Sequence, residues 1–413
     1  MSLLLRNFPV HEVRPADHHA LHDGILNVSG PELSRFLSEA DPRIARVDVD
    51  FVTPGESTRI VCVKDIIEPR LKTAGSEPGL GTVHALSNCA VVTCGPIVGF
   101  QEGIIDADSP GSQYSPFDAT HLIVLQIHVV DGLSPHEHEE TVRQAGLRAT
   151  DSLAELTIDL APDSERDISW SDADVDSSLP RIAYVYMVLS QGLLHDTYVL
   201  GQNAQQDLPQ IVDPRLVFEN GIVSGNCVSA CDKNTTWHHQ HNPVISRLLD
   251  GHGKDWNFVG VVVTNEPTRL NLKEQSAQEA IQLVQELQAE GVIITKEGFG
   301  NPDADLMMLL RGLEQAGIRT VAVTDEYAGV DGASQSLADT TPEADAVVST
   351  GNANELIVLP PVSRTIGPLP DVSRLAGGYP HSLRSDGSIE VELQALIGAT
   401  NQLGYGTLTC RTI

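Results

Sequence analysis

The sequence predicts an α/β protein in two parts: an N-terminal mixed-sheet α+β half and a C-terminal half built on a doubly wound parallel sheet. Three observations predict it. A chain of 413 residues exceeds the roughly 250 to 300 at which one hydrophobic core stops growing, so two units are expected. A composition of 41% hydrophobic and 20% charged residues is that of an ordinary globular protein. From residue 258 onward short apolar runs alternate with amphipathic stretches, whereas residues 43–94 show extended apolar segments punctuated by Gly and Pro.

In the first half, residues 60–63 and 90–93 read as strands, as does 121–130. Residues 135–156 repeat apolar side chains at helical spacing and follow Ser134-Pro135, an N-cap with Pro in the first turn. Residues 181–189 and 193–201 are extended. Residues 163–178 are acidic and Ser-rich with almost nothing to bury, which predicts a surface loop. The boundary between the halves falls near 221–257.

In the second half, 258–264, 291–295, 319–324 and 346–349 read as strands and 276–290 and 306–315 as helices. Short apolar strands separated by amphipathic helices indicate a parallel sheet covered on both faces. Such sheets bind ligands beyond the carboxyl ends of their strands. Three turns there are polar: Asn265-Glu266, the turn from Glu297 to Asn301, and the turn from Asp325 to Gly329. Glu297, Asp325 and Tyr327 are therefore candidate site residues. Gly298-Phe299-Gly300 lacks the third glycine of a dinucleotide fingerprint. Asp303 and Asp305 read as helix N-terminal charges favoured by the macrodipole. Residues 327–339 are too polar and glycine-rich for the core; either a loop closing on a site or partner, or a plain turn, accounts for them.

Against 56 acidic side chains stand 26 Lys and Arg, a formal charge of −30 that repels nucleic acid and anionic lipid alike. No stretch approaches the ~20 uninterrupted apolar residues of a membrane helix. The short apolar run at residues 3–5 is no signal peptide, and six cysteines are too few for a disulfide framework. A cytoplasmic protein with reduced thiols, free of membrane and nucleic-acid partners, is expected.

Chemistry concentrates between the halves, in Ser224-Gly225-Asn226-Cys227-Val228-Ser229-Ala230-Cys231-Asp232-Lys233-Asn234. A Gly-Asn-Cys turn can bring the Cys227 thiol against the Asn226 carbonyl, with Gly225 permitting backbone angles that other residues resist. Attack there gives a thioester; loss of the Cys227 α-proton expels the thiocarboxylate, and the dehydroalanine left behind tautomerises and hydrolyses to a pyruvoyl group. The products are residues 1–226 and 227–413. Spacing alone does not single out this pair, because Asn88-Cys89 repeats it. A packed core thiol, or a CxxxC dithiol or metal site formed with Cys231, remains open on the residues by themselves.

Longer stretches narrow the choice. VVTCGPIVGFQEGIID (91–106), QGLLHDTYV (191–199), SGNCVSACDKNTTWHHQHNPVI (224–245), EGFGNPDADL (297–306), TDEYAGVDGASQSLAD (324–339) and GNANELIVLPP (351–361) resemble the pyruvoyl-forming proprotein of component B of the glycine, sarcosine and betaine reductases. The likeness runs over nearly the whole chain. The related D-proline reductase proprotein fits these stretches less well. The resemblance implies autocatalytic cleavage between Asn226 and Cys227, with an N-terminal mixed α/β domain (1–226, released as one subunit) and a C-terminal α/β domain (227–413) bearing the pyruvoyl cofactor derived from Cys227. It implies an oxidoreductase subunit in a hetero-oligomer, whose pyruvoyl forms an iminium with the amine of glycine or sarcosine. A selenolate or thiolate of a partner component B subunit then cleaves the carbon–nitrogen bond, and other reductase components take the product. A quaternary amine such as betaine cannot form the iminium. A pyruvoyl lyase or reductase for another amine, or a noncatalytic scaffold, is the alternative.

Around the cut, Asp232, Lys233 and Asn234 are candidate substrate or partner contacts, and Lys233 suits a substrate carboxylate or the Asn226 carbonyl; a solvated loop is the plain alternative. His238 and His239 suit proton transfer near neutral pH. His241 is less typical of the family. No metal is expected, because adjacent histidines point apart and no matching cysteine or carboxylate spacing is present.

Overall fold

The computed structural model describes residues 2–97, 102–108, 110–171, 178–191, 196–225 and 234–405. In the first part, β1 (Ser2–Asn7) belongs to a small four-stranded sheet. A larger mixed sheet is built from β2 (Ile44–Val52), β3 (Thr58–Ile67), β4 (Cys89–Cys94), β5 (Gly103–Asp106) and β6 (His121–Val129) in the order β5-β3-β4-β6-β2. β4 and β6 pair in parallel, the other neighbours antiparallel. Every residue of β3 and β4 is buried, the signature of strands covered on both faces.

One cover is α1 (Pro135–Ala154), whose Val142, Ala145, Ala149 and Leu153 pack on Val91, Ile123 and Leu125. Its start is fixed by a capping box: Ser134 Oγ accepts the Glu137 N–H, and Glu137 Oε2 accepts the Ser134 N–H at 2.8 Å. The acidic stretch expected to be a loop instead contains β7 (Ser164–Ser169), an edge strand antiparallel to β1. Only Ile168 of it is buried, so main-chain pairing rather than side-chain burial holds this strand, and composition could not reveal it.

The second sheet comprises β8 (Arg181–Met187), β10 (Gln210–Val212), β12 (Asn257–Thr264), β13 (Gly291–Lys296), β14 (Arg319–Glu326) and β15 (Val347–Asn352); β9 (Thr197–Val199) and β11 (Ile222–Ser224) form a small separate sheet. Interleaved are α2 (Thr236–Gln240), α3 (Pro243–Gly251), α4 (Leu270–Glu286) and α5 (Asn301–Gln315). The strand order is β10-β12-β8-β13-β14-β15, all parallel except β10. With β8 counted first, the parallel strands run 2-1-3-4-5, and the order reverses between β8 and β13. One face carries α4 and α5 over Ala183, Val185, Val262 and Ile294. On the other, Tyr184, Tyr186, Phe258 and Val261 share a core with α3 and with Leu3, Leu5 and Val83 of the four-stranded sheet.

The expected largely parallel C-terminal sheet is present, but the sheets draw on both sides of residue 226. β8, the central strand, precedes it; β16 (Arg364–Ile366), far after it, pairs in parallel with β3 of the N-terminal sheet. Among the described residues no helix is long and apolar enough to cross a membrane.

Candidate functional site

The reversal in strand order leaves a crevice between the carboxyl ends of β8 and β13, and polar side chains converge there. Glu297 immediately follows β13. Its Oε2 accepts the N–H of Leu189, past the end of β8, at 2.8 Å, and its Oε1 accepts the N–H of Asn234 at 2.5 Å. Gly298 has φ +72°, and a Cβ there would lie 2.8 Å from Leu189 Cδ1 and 2.9 Å from Pro302 Cγ. The turn that aims Glu297 thus requires glycine.

Asn226, Cys227, Asp232 and Lys233 lie outside the described residues, but the chain on either side of them is placed. Before them, Gly225 donates its N–H to Asp196 O at 2.6 Å. After them, Asn234 is buried, donates Nδ2–H to the Tyr186 hydroxyl at 3.1 Å and accepts at Oδ1 from Asn401 Nδ2 at 2.6 Å. The two ends are joined by Ser224 N–H donating to Thr236 Oγ1 at 2.9 Å. Thr236 in turn donates its N–H and hydroxyl to Asp65 of β3 at 2.8 and 2.6 Å. Gly225 and Asn234, on either side of residues 226–233, are therefore both tied down at the crevice.

The candidate histidines divide. His239 is buried with Nδ1 2.6 Å from the Tyr186 hydroxyl, in a chain of contacts Asn401–Asn234–Tyr186–His239 that reaches the re-entry point. Burial pushes the Tyr186 phenol well above its usual range. His238 caps α2: its Nδ1 accepts the Thr235 N–H at 3.1 Å and lies 2.8 Å from the Thr235 hydroxyl. Burial drives its pKa down to about 3, so the ring is neutral at physiological pH. His241 stacks on Trp237 and meets Glu68 at 3.0 Å.

Asp325 ends β14 buried, accepting from Gln402 Nε2 at 2.6 Å. Tyr327 stacks on Phe299 with centroids 3.8 Å apart, at the rim of the same edge, and its N–H bonds Ser336 O, closing the polar loop on itself. Asp303 stands in the first turn of α5, as expected, and both it and Asp305 are also buried and paired with Lys296 and Lys273. Three residues of the network escaped the sequence reading. Tyr186 looked like strand core, Asp65 lies just past the stretch 60–63 read as a strand, and Asn401 sits far along the chain with no motif around it. Among the described residues no group of three or more His, Cys, Asp or Glu could hold a metal ion.

The second Asn-Cys pair is locked. The Asn88 carbonyl accepts the His121 N–H at 3.0 Å, and the buried Cys89 thiol faces Leu86 O at 3.5 Å. Burial raises the pKa of Cys89, of Cys94, and of Cys62, the last to about 12.

These features define a class: an α/β protein whose polar switch point gathers the two described ends, Gly225 and Asn234, that flank an internal segment of its own chain. The chain belongs to the family of glycine/sarcosine/betaine reductase component B subunits, whose family model matches residues 1–411. It is 45% identical, over the full length of both chains, to the glycine reductase complex component B subunits alpha and beta of Peptoclostridium acidaminophilum. The corresponding protein of Acetoanaerobium sticklandii is also 45% identical over both full lengths. The sarcosine reductase complex component B subunit alpha of P. acidaminophilum is 43% identical, again end to end. No solved structure matches the chain.

Proposed function

We propose that this chain is the self-cleaving precursor of the alpha and beta subunits of a glycine or sarcosine reductase component B, breaking between Asn226 and Cys227 and converting Cys227 to a pyruvoyl group. The observation that carries this reading is the anchoring of Gly225 and Asn234, the neighbours of residues 226–233, at the switch point through Asp196, Thr236 and Glu297. The surroundings fit a small polar group. His238 Nε2 and Glu266 Oε1 are buried and have no hydrogen-bond partner among the described residues.

When formed, the pyruvoyl supplies an electrophilic carbonyl that takes up a primary or secondary amine and draws electrons from its carbon–nitrogen bond. Glu297 holds the segment's far end against β8. Asn234, Tyr186 and His239 form the hydrogen-bonded path along which a proton is held near the site, whereas His238 positions that path by capping α2. Lys233 receives the substrate carboxylate, with Asp232 beside it; the buried lysines Lys296 and Lys273 are already engaged by Asp303 and Asp305. Asp325 and Tyr327 shape the rim that faces substrate or partner. The attacking selenolate or thiolate is assigned to another subunit; among the described residues, Cys62, Cys89 and Cys94 are buried and their thiols are held protonated.

Intact-mass measurement on freshly made protein tests the reading. Two pieces, 1–226 and 227–413, with the second lacking the Cys227 thiol, are expected. A single full-length species with Cys227 still alkylatable, after prolonged native incubation together with the products of neighbouring genes, overturns it.

A further inference from the structure

Beyond the carboxyl ends of β8 and β12 opens a cavity of about 450 Å³, lined by Ser190, Gln191, Asn265, Thr268, Gln275 and Ser276 among others. These six walls are hydroxyls and neutral amides, suited to a small polar molecule, and Glu279 adds one carboxylate to the lining. Behind them lies Glu266. Its side chain is fully buried, its N–H donates to Ser190 Oγ at 2.8 Å, and its Oε2 lies 3.5 Å from Gln191 Nε2. Gln191 thus belongs to the cavity wall and also touches the carboxyl group. The other carboxyl oxygen, Oε1, has no hydrogen-bond partner among the described residues.

The charges around Glu266 come from three elements. Glu297 follows β13, as Lys296 ends it; Lys273 stands on α4; Asp305 stands on α5, as does Asp303. Lys296 and Lys273 are paired with Asp303 and Asp305, so no lysine of this group is dedicated to Glu266. Burial first, and Asp305 and Glu297 after it, raise its pKa well above the ordinary carboxylate range. A buried carboxyl group in negative surroundings, next to a polar cavity whose one charged wall is the carboxylate of Glu279, favours an arriving cation.

We propose that Glu266 receives the ammonium group of a small primary or secondary amine entering through this cavity and takes a proton from it, presenting the neutral amine to the site. The inference rests on the pyruvoyl reading, because an ammonium nitrogen has no lone pair with which to add to a carbonyl. As the cation binds, the Glu266 carboxyl releases its proton to solvent. The resulting carboxylate then takes one N–H proton from the ammonium, leaving a neutral amine and a carboxylic acid again. Overall one proton passes to solvent for each ammonium converted to amine. A quaternary ammonium can displace the first proton but has none to give for the second step.

Calorimetric titration of the full, processed chain with glycine, near pH 7 in buffers of different ionisation enthalpy, counts the protons released. About one per glycine is expected for the wild type and none for Glu266→Gln, which keeps the shape and neutrality of the acid. The rate of borohydride trapping of glycine on the 227–413 fragment should fall tenfold or more in Glu266→Gln at pH 7. That loss should shrink as the pH rises and free glycine becomes neutral, a recovery that a merely structural defect would not show. Thermal melting checks that the variant is folded. Equal proton release in wild type and a folded Glu266→Gln overturns the role of Glu266 while trapping in the wild type leaves the pyruvoyl reading intact. Absence of trapping in the wild type defeats that reading instead.

Discussion

Glu297 Oε1 accepts the main-chain N–H of Asn234 at 2.5 Å, so a carboxylate at the end of β13 fixes the point where the chain re-enters after residues 226–233. Its second oxygen accepts the Leu189 N–H, which makes the same side chain a clasp between two strands. Glu297→Ala leaves two buried N–H groups without their acceptor, at a cost of about 1–3 kcal/mol each. The expected outcome is a lower melting temperature and cleavage slowed tenfold or more in a time course of intact masses. Glu297→Gln keeps one carbonyl acceptor and should fall between. Wild-type cleavage in a folded alanine variant would show that the clasp has no part in positioning the segment.

The exchange of strands across residue 226 bears on what a cut at that point would do. β8, within residues 1–226, sits between β12 and β13 of residues 227–413, and β16 of the later stretch pairs with β3 of the earlier one. Their separation would expose the core that joins Leu3 and Leu5 to Phe258 and Val261. After cleavage the fragments should therefore elute as one species in size-exclusion chromatography and part only in denaturant. Two independently eluting fragments under native conditions contradict this.

His238 offers a way to separate capping from proton transfer. Its Nδ1 completes a capping box begun by Thr235, in the position where glutamine or glutamate commonly stands. His238→Gln should preserve the box and cleave at a rate close to wild type. His238→Ala should lose about 1 kcal/mol of stability, the usual cost of a lost cap. A folded glutamine variant that fails to cleave would assign the ring a direct chemical role.

Much of the architecture was legible because burial leaves a trace in composition. β12 and β13 are continuous apolar runs, and Ser134 with Glu137 announces α1 through its capping chemistry. The helices α4 and α5 begin earlier than their apolar periodicity suggests, since their first turns are largely polar. The crevice was visible only as polar turns. Glu297 could be named from its place after a strand, but its partners could not. Asp65, Tyr186 and Asn401 reach Thr236 or Asn234 across 171, 48 and 167 residues of chain, respectively. Such contacts exist only once the sheets have formed. Asp303 does stand in the first turn of α5, but its buried pairing, like that of Asp305, was hidden for the same reason, because the lysines come from β13 and α4.

Acid should strike the joint between the N-terminal sheet and α2. Burial opposes ionisation of Glu68, yet the charges of His241 and Arg70 and their hydrogen bonds hold its carboxyl down to about 2. A depressed carboxylate contributes stability that is present above its unfolded pKa of roughly 4.3 and is lost as pH falls toward the folded value. Denaturant melts of the wild type should weaken steeply between about pH 4.5 and 2, beyond the loss shared with other acids. Glu68→Gln should be less stable than wild type at pH 7 and show a shallower slope in that window. An unchanged slope would mean that Glu68 is already protonated in the native state.

The two Asn-Cys pairs provide the most direct test of maturation, because they share their chemistry and Asn88-Cys89 is locked in the buried sheet. At Asn88-Cys89 the carbonyl is engaged by the His121 N–H, the thiol is buried against Leu86 O, and burial raises its pKa. Both features oppose attack: the carbonyl is held within the sheet, and the nucleophilic thiolate is disfavoured. Cys89→Ala should therefore leave cleavage unchanged, apart from a cost of up to about 1 kcal/mol for the lost core sulfur. Cys227→Ala should abolish it. Cys227→Ser should cleave slowly if at all, because a hydroxyl is the poorer nucleophile at neutral pH, yet any product should carry the same pyruvoyl mass, formed through an ester in place of a thioester. Intact-mass spectra of the three variants over matched incubation times decide the matter. Normal cleavage of Cys227→Ala would reject Cys227 as the nucleophile, and loss of cleavage in a folded Cys89→Ala would mean that the buried pair acts on the junction from a distance.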